Sequence, residues 1–260
     1  MDFEKFYDEQ KEYSAFRNNN EKRIDYENIV RWKTEQLVKL IPANLTFNSI
    51  LEIGCALGIL LNNISEHLSI KRIFGLDISS KNIELAKTLY PDNTFFQGTV
   101  EDLKGFISNG QTLPEFDLIL LSDVIEHIPD DLKFLESVKE ISTYVMINLP
   151  LEKCFKNRHR KYDEDDPSGH LHCYDRGMAL SLIDQAGFEI INRFTASAFR
   201  NKTIFKIYLK ARNERLKLKP LPKRLFWKLF YLAEDRMKLI NNHLSERIYG
   251  TNYFALLKSR

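Results

Sequence analysis

The run from Ile50 to Gly58, taken with Asp77, constrains this chain more than any other part. Ile50-Leu51-Glu52-Ile53 predicts a short buried strand. Gly54-Cys55-Ala56-Leu57-Gly58 follows at once, and a helical pattern begins after it. Asp77 closes a second apolar run, Ile73-Phe74-Gly75-Leu76. This is the plan of a nucleoside-binding βαβ unit. A tight glycine turn lets backbone approach a ligand, and an acidic residue after the next strand takes ribose hydroxyls.

Gly54, Ala56 and Gly58 fall at every second position. That is not the glycine spacing that seats a pyrophosphate on a helix N-terminus. Glu52 places a carboxylate inside the strand, facing the loop, where it repels a pyrophosphate and attracts an ammonium. A ligand with a ribose, an amino-acid end and a positive charge suits these residues, and S-adenosylmethionine is such a ligand. On these residues the chain resembles the class I S-adenosylmethionine-dependent methyltransferases, from about Ile50 to Phe194. It is most similar to the small-molecule branch that includes ubiquinone-type O-methyltransferases.

Alternating strand and helix signals lead independently to an α/β fold. Strand runs end at Ile53, Leu76, Phe96, Leu121, Asn148 and Ile191, with helical spacing between them. Asp130 and Asp175 read as N-caps, with Phe134, Leu135, Val138 and Ile141, then Met178, Leu182, Ile183 and Ala186, turned inward. Such alternation predicts a doubly wound, mostly parallel sheet. The resemblance sharpens this to a Rossmann-like seven-stranded sheet with an antiparallel last strand. The expected organisation is an N-terminal arm or helix over residues 1–30, with a lid as the competing reading, a core over 31–199, a basic helical insertion over 200–249 and a last strand over 250–260.

Composition narrows the classes. A net charge of +2 over 260 residues demands no acidic partner. Cys55, Cys154 and Cys173 are scattered and odd in number, which argues for a reducing compartment. No signal-like apolar segment opens the chain, and no apolar run approaches a membrane span. The chain reads as cytoplasmic; its oligomeric state is not legible.

The resemblance assigns cofactor contacts to Glu52, Gly54, Cys55, Ala56, Gly58, Asp77 and Ile78. Ala56 stands where the family usually has glycine. The turn Gln97–Leu103 would hold adenine through the Val100 amide and an acceptor side chain. The family's usual aspartate is replaced by Thr99, which leaves Thr99, Glu101 and Asp102 as acceptors. Ser122-Asp123-Val124-Ile125-Glu126-His127 resembles the family's signature after the fourth strand. Ser122 would touch the cofactor, and Arg31 would meet its carboxylate. His127 is the candidate general base because imidazole titrates near neutrality, with Asp123 second; bracing of the site is the competing role. The stretch Gly169–Tyr174 would line the rim, with His170, His172 and Tyr174 contacting substrate. His170, His172 and Cys173 also offer zinc-type ligands, but they lack a second ligand pair, so no metal is expected.

The reading is therefore methyl transfer to an oxygen, or secondarily a nitrogen, of a small molecule, leaving S-adenosylhomocysteine. The Asn/Asp-Pro-Pro-Tyr run of heterocycle and amide N-methylation is absent. Two alternatives stand: a tRNA or rRNA methyltransferase, and a non-catalytic cofactor-binding partner protein. The insertion is basic from Arg200 to Lys228 and then aromatic and amphipathic through Phe226, Trp227, Phe230, Met237, Leu239 and Ile240. It suits a pocket wall, peripheral membrane contact through residues 220–245, nucleic-acid phosphates, or a packed helix with a solvated basic face.

Overall fold

The computed structural model describes residues 3–9, 11–103, 116–163, 165–240 and 242–260. The side chains of Phe3, Tyr13, Met237, Leu239 and Ile240 lie outside those described. Three helices open the chain: α1 (Phe3–Glu9), α2 (Lys11–Asn18) and α3 (Asn20–Val38). The core continues through β1 (Ser49–Ile53), α4 (Ile59–Leu68), β2 (Arg72–Asp77), α5 (Ser80–Leu89) and β3 (Thr94–Gln97). It resumes with β4 (Phe116–Ser122), a short turn of helix at Ile125–His127, α6 (Asp131–Lys139), β5 (Ser142–Leu151), α7 (Arg176–Gln185) and β6 (Phe188–Ala196). The insertion forms α8 (Lys202–Lys217), α9 (Leu221–Ile240) and α10 (Asn242–Tyr249) before β7 (Thr251–Ser259).

The seven strands form one sheet in the order β3-β2-β1-β4-β5-β7-β6. The pairings from β3 to β5 are parallel, and β7 runs antiparallel between β5 and β6. Period-two alternation splits the buried residues into two layers. Leu51, Ile119, Leu121, Val145, Ile147 and Ala255 face one cluster with α6 and α7. Ile50, Leu118, Leu120, Met146, Phe254 and Leu256 face the other, with α3, α4 and α5. Burial on both faces is why these strands read as continuous apolar runs.

Several boundaries extend beyond their apolar patterns. Helix α3 starts at Asn20 because the Asn19 Oδ1 accepts from the Lys22 amide at 3.1 Å. Strand β6 continues to Ala196 although its later residues do not alternate. As an edge strand with a bulge between Ile190 and Asn192, it is held by pairing to β7. Met178, expected inward, is 41% exposed, and Ala179 takes the buried position on α7. The Asp130 and Asp175 caps form, accepting from the Lys133 and Met178 amides at 3.1 and 2.9 Å.

Phe254 locks the last strand to the rest. Its ring is fully buried, 5.7 Å from Trp32 of α3 edge to face and stacked 5.5 Å from Phe194 of β6. Phe254→Ala is expected to destabilise the protein by about 3–5 kcal/mol in urea unfolding. A loss below about 1 kcal/mol would contradict this packing.

Candidate active site

The carboxyl ends of β1, β2, β4 and β5 open onto a cavity of about 830 Å³. Its position is the one doubly wound sheets reserve for ligands. The glycine loop forms its floor. The amides of Gly54 and Cys55 donate to the Leu76 carbonyl at 2.8 and 3.0 Å, which pins the loop to β2. Gly54 has φ +71°, and a Cβ there would stand 2.7 Å from the Val124 methyl, so glycine is required by packing as well as by conformation. Ala56 also adopts a positive φ, of 46°. Gly58 caps α4 and lies outside the cavity lining; its close neighbour is the Phe95 ring.

Asp77 is buried and holds the loop from the other side. Its Oδ2 accepts from the Ala56 amide at 2.7 Å and its Oδ1 from the Ser79 amide at 2.9 Å. Asn82 contacts the same Oδ1 at 3.4 Å and accepts from Arg17 at 2.7 Å. Arg17 also donates to the carbonyls of Tyr7 and Asp8, and the Asp8 carboxylate accepts from the hydroxyls of Ser79 and Ser80. The N-terminal helices are thereby fastened across the cavity. Tyr7, Phe16 and Tyr26 line it, with Phe16 stacked on Tyr26 at 4.7 Å.

Glu52 is on the same face of β1 as Ile50, between the sheet and α3. It is 2% exposed, and its Oε2 has no hydrogen-bonding partner among the described residues. Burial pushes its carboxyl well above the ordinary range, only partly offset by the Leu61 backbone and by Lys33. Lys33 of α3 also lines the cavity and pairs with Asp123. Asp123 has φ +54° and accepts from Asn148 at 2.9 Å, while the same amide donates to Ser122 at 3.1 Å.

Ile78, Thr99, Val100 and Glu101 line the adjoining wall. The Asp102 carboxylate is occupied by the amide and hydroxyl of Thr99, both at 2.8 Å. Opposite them stand Glu126, His127 and His170. The His127 Nδ1 meets the Gly169 carbonyl at 3.0 Å, and a carbonyl only accepts. The proton therefore sits on Nδ1, and the Nε2 lone pair, 3.9 Å from the Glu126 Oε1, has no hydrogen bond among the described residues. Burial, and then His170, push the His127 pKa down to about 4. Glu126 is fully buried with neither oxygen hydrogen-bonded among the described residues; burial and the nearby Asp123 raise its pKa well above the ordinary range. His170 is held by Glu152, whose Oε2 lies 2.8 Å from Nδ1. Ligand atoms of Glu126, His127 and His170 lie within 4.8 Å of one another and could hold a metal ion. This trio shares only His170 with the zinc-type set His170, His172 and Cys173 considered from the sequence, where no metal was expected.

Besides Gly58, three expected contacts fall outside the cavity. Arg31 is exposed and lies in a separate surface depression with Arg23, Glu27 and Tyr90; Lys33, one helical half-turn on, faces the site instead. The His172 Nε2 lies against the carbonyls of Ile128 and Pro129, at 2.9 and 3.2 Å. Tyr174 is buried in the core, with its hydroxyl on Asp131. Sequence reasoning missed Arg17, Lys33 and Glu152, whose partners are far away in the chain.

A family model described as "Methyltransferase domain" matches residues 22–193. The ubiquinone biosynthesis O-methyltransferase of Haemophilus ducreyi is 29% identical over 96 residues, 35% of this chain and 39% of that protein. The chain thus matches well under half the length of that relative. Among solved structures, the magnesium protoporphyrin IX methyltransferase of Synechocystis PCC 6803 with bound SAM superposes with a TM-score of 0.54 at 12% identity, over 99% of this chain and 95% of that one. Phosphoethanolamine N-methyltransferase 2 of Haemonchus contortus, in complex with S-adenosyl-L-methionine, gives 0.65 at 15% identity, over 100% and 60%. At these identities the superpositions establish the fold, and the domain match supplies the family. The chain belongs to the methyltransferase-domain family and has the class I methyltransferase fold.

Proposed function

We propose that the protein methylates an oxygen of a small-molecule metabolite, binding S-adenosylmethionine in the cavity above β1, β2 and β4. The observation that carries this reading is Glu52, a buried carboxylate with one oxygen unpartnered among the described residues, beside a positive-φ glycine loop. An α-ammonium donating to it removes the penalty of an orphaned buried acceptor. Lys33 serves the cofactor's carboxylate, Asp77 the ribose hydroxyls, and the Val100 amide with Thr99 or Glu101 the adenine. Residues 31–199 and 250–260 make the core, 1–30 a lid and 200–249 an appended helical unit.

Bound S-adenosylmethionine supplies a methyl carbon activated by a sulfonium. The chain's own work is alignment, exclusion of water and removal of the acceptor proton. His127 takes that proton on Nε2, Gly169 fixes its tautomer, and the Glu126 carboxyl steadies the imidazolium that forms. Asp123 is committed to Lys33 and Asn148 and orients rather than abstracts. Tyr7, Ile128, Pro129, Phe134 and Pro150 give the remaining wall an apolar character suited to a metabolite. The cavity wall carries Lys33, already paired, and Lys133, too little charge to track a nucleic-acid backbone.

Glu126 favours a second reading of the same centre. A divalent cation on Glu126, His127 and His170 would polarise the acceptor oxygen directly. The donation from His170 Nδ1 to Glu152, and from His127 Nδ1 to Gly169, is the outer support such ligands use. Dialysis against a chelator separates the two. Activity that survives it, with no metal in elemental analysis, supports the base; activity restored only by a divalent ion supports the metal.

Methyl-labelled S-adenosylmethionine with a cell extract is expected to label a small, extractable product. Label lost on RNase treatment would overturn the small-molecule reading. With that acceptor in hand, His127→Ala should lower kcat by about 10²–10⁴-fold while cofactor binding persists. Near wild-type turnover would remove His127 from the chemistry.

Glu52 generates a pH signature. Its folded-state pKa is raised, so its contribution to apoprotein stability is present below the ordinary carboxylate range and is lost as pH rises through the raised value. Cofactor should therefore raise Tm more at pH 7.5 than at pH 5, in thermal-shift measurements. Glu52→Gln should stabilise the apoprotein at pH 7.5 and abolish most of that cofactor-induced shift. An unchanged shift would place the ammonium elsewhere.

A further inference from the structure

Helix α9 presents an apolar surface that nothing among the described residues covers. Leu221, Leu225, Phe226, Phe230 and Leu232 are all more than half exposed, as is Leu218 just before the helix. At about 100° per residue, the five on α9 fall within a single arc of roughly 180°. Lys223 lies just beyond one edge of that arc and Lys228 just beyond the other. From Arg215 to Ala233 the chain carries six cations, Arg215, Lys217, Lys219, Lys223, Arg224 and Lys228, and no acidic residue. The opposite side of the helix is anchored. Trp227 and Tyr231 are half-buried, the Arg212 guanidinium of α8 lies 4.6 Å from the Tyr231 ring centroid, and it forms two 2.7 Å bonds to Asp235. The exposed arc is therefore a fixed feature of a docked helix.

We propose that α9 docks this protein on an anionic lipid surface, with the leucines and phenylalanines among the acyl chains and the flanking cations at the headgroups. The pairing of a wide apolar arc with basic edges selects this occupant. A second copy of the same face would set Lys223 and Lys228 against like charges across a twofold interface. RNA would satisfy the cations and leave the apolar arc in water. No helix among the described residues is long and apolar enough to cross a membrane, so the contact is interfacial. The insertion leaves the sheet after Ala196 and returns at Thr251, opposite Leu151 at the carboxyl end of β5. That is the sheet edge that carries the cavity, so the docking surface is rooted beside the active site.

The test is co-sedimentation of the full chain with vesicles of phosphatidylcholine alone or mixed with phosphatidylglycerol. Binding is expected on the mixed vesicles only, weakened at least about tenfold between about 0.1 and 0.5 M salt. Phe226→Ser with Phe230→Ser, and separately Lys223→Glu with Lys228→Glu, should each weaken it about tenfold or more. Both pairs should keep the wild-type cofactor-induced Tm shift, which reports an intact fold. No binding to either vesicle overturns the proposal, as does equal binding to both. RNA retention without vesicle binding assigns the face to nucleic acid. A wild-type dimer that becomes a monomer in the phenylalanine variant, without vesicle binding, assigns it to self-association.

Discussion

The Asp77 carboxylate is the contact on which the site depends. It stands at the end of β2 and accepts from Ala56 of the preceding loop and from Ser79 of the following one. A buried carboxylate needs such donors, and here they come from two backbone turns that must bend to supply them. Through Asn82 the same network reaches Arg17 and fixes the N-terminal helices. One side chain thus shapes the floor of the cavity and positions its cover.

A balance of charge follows from that crowding. Glu52, Asp77, Asp123 and Glu126 converge on the cavity, and Lys33 is the ammonium set among them. Desolvation raises Glu52, Asp77 and Glu126 together. Such a site is poised for a cationic ligand before any contact is made. Arg31, turned to solvent in a separate depression, stands outside this group.

The parts legible in the sequence were the local ones. Gly54 and Ile50–Ile53 announced a strand and a turn because conformation and period-two burial are written in adjacent residues. A last strand over 250–260 is legible in its apolar run, whereas its antiparallel sense rests on the family resemblance. Lys33 meeting Asp123, or Glu152 meeting His170, joins residues far apart in the chain, and no spacing rule reports such meetings. His170, His172 and Tyr174 share the short stretch that the resemblance assigns to the rim. In an extended segment neighbours diverge: His170 faces the cavity, His172 the Ile128–Pro129 carbonyls and Tyr174 the core.

The place of β7 between β5 and β6 governs the order in which the protein can assemble. Within the sheet β6 touches only β7, and β7 is made after the whole helical insertion. During synthesis β1 to β5 can pair while β6 waits as an unpaired edge. The insertion is then a long loop whose closure must precede the last two strand pairings, an entropic cost that slows completion of the sheet. Until the final strand emerges, the face of α3 that receives Phe254 stays open, and the nascent chain has reason to be held by a chaperone.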